Sequence, residues 1–261
     1  MSQSLDFRPR SVAELVDAAV QLYKRDALTY ILIAAVAFAP SSILQIIAFS
    51  GMDASTPGAA IPTTMFVSMI VGLVGYTLMS AVLVHLSSAA YLGEPADAAS
   101  SLRAVAPRLV TLLVNGVLKW TGILFGMMLF LVPGLYLFAR WFATTPSIVL
   151  EGRGVGEAFS RSGALSKSRK RHIFNTLALV YLLFYAIIIA VSFMMGMFGF
   201  IGNAIIPQVI ASVASVVVYP VIGITEMLLY YDARIRGEAF DVELLARGLT
   251  TPASDEPQPQ H

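Results

Sequence analysis

The chain has no cysteine and little charge: Asp, Glu, Lys and Arg make up 13% of its 261 residues. Without cysteine there are no disulfides, thiolate metal sites or cysteine nucleophiles. The shortage of charge excludes an ordinary soluble domain, which carries about 25% charged residues, whereas 57% of this chain is hydrophobic. A net charge of +1 supplies no global field for nucleic acid or an acidic substrate. This composition suits a bilayer, where apolar side chains face outward. Long hydrophilic segments are also missing. The longest connection between apolar runs, 151–172, is 22 residues, too short for a soluble catalytic domain. Met1 to Asp26 holds eight charged residues and no apolar core, so no cleavable signal peptide is expected.

What is present is a series of charge-poor runs. A helix needs about 20 apolar residues to cross ~30 Å of hydrocarbon. The run between Asp26 and Asp53 gives a span at about 28–49. A second, after breaks at Thr56-Pro57-Gly58 and Pro62, lies at about 63–92. Arg108 to Glu151 encloses 42 residues interrupted only by Lys119 and Arg140, enough for two spans (109–132 and 135–150) with Pro133-Gly134 as the turn. His172 to Glu226 holds two more, at about 173–196 and 207–231, divided by Gly196, Gly199, Gly202 and Pro207. The expectation is an all-α membrane protein with six transmembrane helices in three hairpins. It forms one domain, 1–249, followed by a disordered tail, 250–261, rich in proline and polar residues.

Charge in the connections fixes an orientation independently of hydropathy. Fifteen Lys and Arg lie in residues 1–27, the loops after spans two and four, and the segment after span six; the three opposite connections have none. This positive-inside asymmetry places both termini in the cytoplasm.

Each hairpin is preceded by an amphipathic segment. Ser11 and Glu14 form a capping box, and Val12, Leu15, Ala19, Leu22 and Tyr23 recur at helical spacing. This reads as an interfacial helix with its apolar face toward lipid. Similar units are Glu94–Arg108, with Pro95 placed for a first turn, and Val155–Leu165. The segment from Tyr230 to Glu238 continues span six, with Asp232–Arg236 and Arg234–Glu238 at i,i+4 spacing. Arg161, Lys167, Arg169, Lys170 and Arg171 are candidate contacts for anionic lipid head groups, though topology control explains them equally well.

Several motifs in order resemble a bacterial family. Phe7-Arg-Pro-Arg-Ser-Val-Ala-Glu-Leu-Val-Asp17, Leu22-Tyr-Lys-Arg25, Val132-Pro-Gly-Leu-Tyr136, Arg140, Val149-Leu-Glu-Gly152, Arg161-Ser162 and the run Leu228 to Arg236 are similar to the membrane domain of glycerophosphoryl diester phosphodiesterases. The resemblance implies a six-helix inner-membrane module, in some relatives fused to a phosphodiesterase barrel. No barrel is present here, so its catalytic residues map onto nothing. The implied location is the bacterial cytoplasmic membrane.

Ionisable groups inside spans are costly and mark functional candidates. They are His85, Lys119, Arg140 and Glu226. One intramembrane histidine cannot build a metal site, His-Glu-x-x-His is absent, and His85 has no nucleophile motif beside it. No catalytic residue, metal or cofactor is expected, and the chain is read as non-enzymatic. The first reading is a membrane scaffold or partner-binding module; the alternatives are a transporter or channel for a small solute and a protein handling lipid or envelope components. The expected partners are the bilayer, including anionic lipids, and a membrane or envelope protein, with no nucleic acid. Glu226 is expected to pair with Arg140 or His85, judged by depth and by the permanent charge of arginine. Gly122 and Gly126 form a Gly-x-x-x-Gly pair for close helix packing.

The cysteine-free background makes the orientation testable. A cysteine placed at Asp53 should react with an impermeant thiol reagent on intact cells, and one placed at Arg169 should not. Reversed labelling would overturn the orientation.

Overall fold

The computed structural model describes residues 9–50, 63–197 and 205–238, which are all-helical apart from short connections. The expected breaks at Thr56–Gly58 and Pro62, the glycines Gly199 and Gly202, and the tail 250–261 lie outside the described residues.

The helices are α1 (Val12–Arg25), α2 (Ala27–Ser50), α3 (Thr63–Leu92), α4 (Ala98–Val105), α5 (Leu109–Leu129), α6 (Leu131–Arg140), α7 (Thr144–Glu151), α8 (Val155–Ser166), α9 (Lys170–Met197) and α10 (Ile205–Glu238). A 3₁₀ turn, Ala106–Arg108, joins α4 to α5. Five helical stretches are long and apolar enough to cross a membrane: 27–48, 63–92, 98–129, 170–191 and 208–238. Their outer faces stay apolar and uncovered, as at Val36, Met69, Phe125, Leu182 and Val213, which is how a chain in lipid differs from a soluble one.

The stretch expected as a single span at 135–150 is two short helices. The reason is Pro146, in the first turn of α7. Proline has no N–H for the carbonyl four residues back, and its ring crowds that carbonyl, which weakens the helix at Phe142. Helices α2 and α10 continue through Pro40 and Pro220, but here a side chain outside the helix takes up the freed groups. The chain therefore breaks at 141–143. The freed backbone groups are taken up by one side chain: Ser162 Oγ accepts from Ala143 N at 3.0 Å and donates to the Arg140 carbonyl at 2.7 Å. Beyond the break, α7 is buried from Thr144 to Val149 among α3, α5, α8 and α10.

Three further boundaries differ from the sequence reading. The turn between α5 and α6 falls at Phe130, whose extended backbone ends α5, so Pro133-Gly134 lies in the first turn of α6. There Gly134 is needed for contact, since an added Cβ would sit 2.7 Å from the Met127 amide nitrogen. Pro95 lies before the helix: α3 ends at Gly93 with φ +74°, and Asp97 caps α4 by accepting from Ser100 N at 2.6 Å. Gly196 lies within α9, and Pro207 within the first turn of α10.

The capping box on α1 forms, with Ser11 N donating to Glu14 at 2.7 Å and Glu14 N to Ser11 Oγ at 3.3 Å. Its apolar face, however, packs on protein: Leu15, Ala19 and Leu22 are buried, with α9 and α10 as the main neighbours of α1.

The organising element is α10. It touches α1, α2, α3, α7, α8 and α9, and residues 222–233 are buried without interruption. The core around them includes Tyr30, Leu83, Phe142, Ile148, Ile173 and Tyr230.

Ser162 holds the α6–α7 break from both sides. Ser162→Ala should therefore leave a buried donor and a buried acceptor unpaired, at about 1–3 kcal/mol each. A clear fall in thermal midpoint in detergent is expected, and an unchanged midpoint would mean that water takes over both bonds.

Candidate functional site

Two polar regions stand out, one at the basic end of the bundle and one inside it. At the basic end, motifs distant in sequence meet. Glu151, closing α7, accepts from Arg161 Nη2 at 2.8 Å and Nε at 2.9 Å, from the Tyr230 hydroxyl and from Arg153. Arg161 also binds both oxygens of Glu238, which Arg234 approaches at 3.2 Å. A planar guanidinium suits this double carboxylate clamp as an ammonium would not. Arg108 closes the same end of α7 by donating to the Ile148 and Val149 carbonyls, a favourable cation at a helix C-terminus. Gly152, at φ +71°, ends the helix.

Asp232, 3% exposed, fixes the amino-terminal segment. It accepts from Arg10 N at 2.8 Å and Arg236 Nε at 2.7 Å, and Arg236 returns a bond to the Arg10 carbonyl at 2.6 Å. His172 Nε2 lies 3.2 Å from the same carboxylate, close enough for an ion pair but not aligned as a hydrogen bond. Both expected i,i+4 pairs on α10 are therefore present, and each is part of a wider network.

These contacts re-assign the candidate head-group cations. Arg161 is committed to Glu151 and Glu238; Arg169 donates to the Arg236 carbonyl at 2.6 Å. Lys170 donates to the Tyr136 hydroxyl at 3.0 Å and lies over its ring. Lys167 and Arg171 remain exposed.

Inside the bundle, the structure separates the four ionisable candidates. His85 Nδ1 lies 3.1 Å from the buried Ser101 hydroxyl, tying α3 to α4. Arg140 donates to Tyr136, one turn back on its own helix, and covers Gly163. Neither partners Glu226. Glu226 and Lys119 are both nearly fully buried. The depth ruler failed because it assumed straight helices, whereas the break after Arg140 directs that side chain toward α8. Gly122 and Gly126 both face α6: an added Cβ would lie 2.5 Å from the Trp141 ring and 3.1 Å from Gly134, respectively.

Lys119 lines a cavity of about 10 Å3 with Asn115, Thr77, Ser80 and Thr145, into which the Asn115 carbonyl oxygen brings no protein partner. Tyr76 and Trp120 close this cavity and also wall a larger one of about 400 Å3. The larger cavity lies among α2, α3, α5, α9 and α10, with Phe38, Tyr181, Tyr185 and Tyr219 as further rings and Ser41, Gln45 and Ser68 as polar groups. Gln208 Nε2 donates to Gln45 Oε1 at 2.6 Å beside it. Tyr76, Tyr181 and Tyr219 lie within the long apolar stretches 63–92, 170–191 and 208–238, away from their ends. Sequence reasoning passed over these tyrosines. The available signal was this position, since membrane tyrosines concentrate at interfaces. A third, apolar groove of about 650 Å3 runs between α2, α3 and α4 past Pro40. Among the described residues no three His, Asp or Glu side chains gather as metal ligands.

Residues 111–233 match the family described as the membrane domain of glycerophosphoryl diester phosphodiesterase. The match runs from α5 into the buried part of α10 and includes Glu151, Arg161, Ser162, Tyr230 and Asp232; the amino-terminal motif around Ser11 lies before it. No curated protein and no solved structure matches the chain.

Burial alone would raise the Glu151 carboxyl, but its bonds from Arg161, Tyr230 and Arg153 outweigh this and bring it down to about 2. The charged form is thus favoured on folding. That contribution is complete above its ordinary value of 4.5 and is lost as the pH falls toward about 2. Stability should fall over that window, and Glu151→Gln should show a weaker acid dependence. An equally steep acid transition in the variant would assign it to other carboxylates.

Proposed function

We propose that the chain is a non-enzymatic, multi-pass protein of the bacterial cytoplasmic membrane that binds a small polar solute within its bundle and passes it across. Membrane character and several crossings are supported by the family match and the five long apolar helices. In this reading six crossings are made, the fourth by α6 and α7 together, with both termini cytoplasmic. The positive charge of the connections supports that orientation.

The observation that carries the function is the 400 Å3 cavity among five of the helices. Its volume lies within the range of small-molecule sites, and aromatic faces with a few hydroxyl and amide groups line it. The cavity is open rather than sealed, and two of its lining residues, Met69 and Tyr185, are exposed. The buried Lys119 and Glu226 beneath it, and the broken α6–α7 pair, are features shared with transport pathways.

A second reading, a docking platform for a membrane partner, is favoured by the rigid clamp at the basic end and the exposed Lys167 and Arg171 beside it.

A cysteine at Gly72 separates the two. Gly72 lines the cavity, and an added Cβ would meet only Ser41, at 3.5 Å. In the solute-binding reading Gly72→Cys reacts with a water-soluble thiol reagent in proteoliposomes, while Ile70→Cys, on the lipid face and 60% exposed, does not. Two inert cysteines would leave the cavity closed to water and favour the platform.

A further inference from the structure

We infer that the 400 Å3 cavity is an aromatic cage for an organic cation of the quaternary-ammonium class. This rests on the solute-binding reading above and adds the chemistry of the solute.

Six of the twelve residues lining the cavity are aromatic, and none carries a formal charge. Their rings form a connected wall. Tyr219 meets Phe38 at 5.2 Å and Tyr76 at 6.0 Å between centroids, and Tyr76 meets Trp120 at 6.1 Å. Successive planes are inclined by 44°, 72° and 70°, so the rings face several directions along the wall of an open cavity. Aromatic faces carry the negative lobe of the ring quadrupole, and tryptophan is the best of them for a cation.

Lys119 lines the neighbouring cavity, beyond Tyr76 and Trp120, and not this one. An anion would meet π faces of the wrong sign. A small metal ion would lose its hydration without a set of oxygen ligands to replace it. An ammonium shielded by methyl groups gives up little hydration and takes the ring faces directly.

The chain has two tryptophans, and only Trp120 lines the cavity; Trp141 packs on Phe159 at 4.9 Å. Trp141→Phe protein in phosphatidylglycerol nanodiscs therefore reports the cage by fluorescence, and calorimetry on the unsubstituted chain gives the same binding without a substitution. Choline should bind saturably, and its neutral carbon isostere, 3,3-dimethyl-1-butanol, should bind about tenfold more weakly. Tyr219→Leu should weaken choline binding about tenfold, and Tyr219→Phe, which keeps the ring, should retain it. Gly72→Leu, which fills the space, should abolish it. Adding phosphatidylcholine distinguishes the source of the ammonium: competition indicates a lipid head group, and its absence a free solute. Equal binding of the isostere, or binding of glycerol in place of choline, would overturn the cation class while leaving a solute site. If no probe gives a response sensitive to Gly72→Leu, the solute-binding reading falls as well.

Discussion

The fold depends on burying the helix from 222 to 233 on all sides, including two carboxylates, Glu226 and Asp232. In a medium without water, each buried polar group must find its partner within the chain. Asp232 meets this by drawing in the Arg10 amide and Arg236, which brings the amino-terminal segment onto α10. Ser88 joins its hydroxyl to that of Tyr231 at 2.6 Å, which fixes α3 to the same helix. The arrangement at the basic end follows from satisfying α10.

The α6–α7 break belongs to the same logic. Pro146 interrupts the helix, Ser162 repairs the exposed backbone, and Arg161 beside it binds the carboxylate at the far end of α7. Arg161 and Ser162 are neighbours on α8 with complementary tasks: one holds the start of α7 and the other its end. This accounts physically for the motifs Val149 to Gly152, Arg161-Ser162 and Leu228 to Arg236 occurring together. They meet as a structural clamp, with every carboxylate in an ion pair, and such saturated groups are poor candidates for proton transfer or nucleophilic attack.

Much of this was legible in sequence. Charge-free runs match α3 at 63–92 and come within about three residues of the ends of α2, α5 and α9, whereas the run at 207–231 stops short of the charged last turns of α10, because hydropathy reports what lipid contacts. The Ser11–Glu14 cap and the i,i+4 pairs on α10 were legible because both depend on local spacing alone. What failed needed tertiary information. Pro146 was visible, but a proline can bend a membrane helix without dividing it, so its effect depended on whether something repaired the gap. Leu15 and Leu22 gave the correct amphipathic face, yet pattern alone cannot distinguish lipid from α9 and α10 as its cover. The direction of Arg140, away from Glu226 and over Gly163 on α8, required the break after α6, which one-dimensional depth does not contain. The aromatic lining of the 400 Å3 cavity comes from five helices, with only Tyr181 and Tyr185 on one helix, so no local window holds the whole set.

Proline also divides α10 by task. Pro220 lies inside the helix, and without an N–H it leaves the Val216 carbonyl lacking its helical donor. Below it, 222–233 is enclosed and pinned by the clamp; above it, Tyr219 and Gln208 stand at the cavity. A similar division occurs in α2, where Pro40 lies between Phe38 and Ser41, both lining the cavity, and Ser41 Oγ bonds the Phe38 carbonyl at 2.9 Å. Missing backbone bonds make these the positions where a long helix bends at least cost. The stronger the clamp holds one end, the more any bending is confined to the half that walls the cavity. Strong ion pairs at the basic end and weakened helices around the rings are therefore two parts of one arrangement, a fixed base carrying an adjustable site.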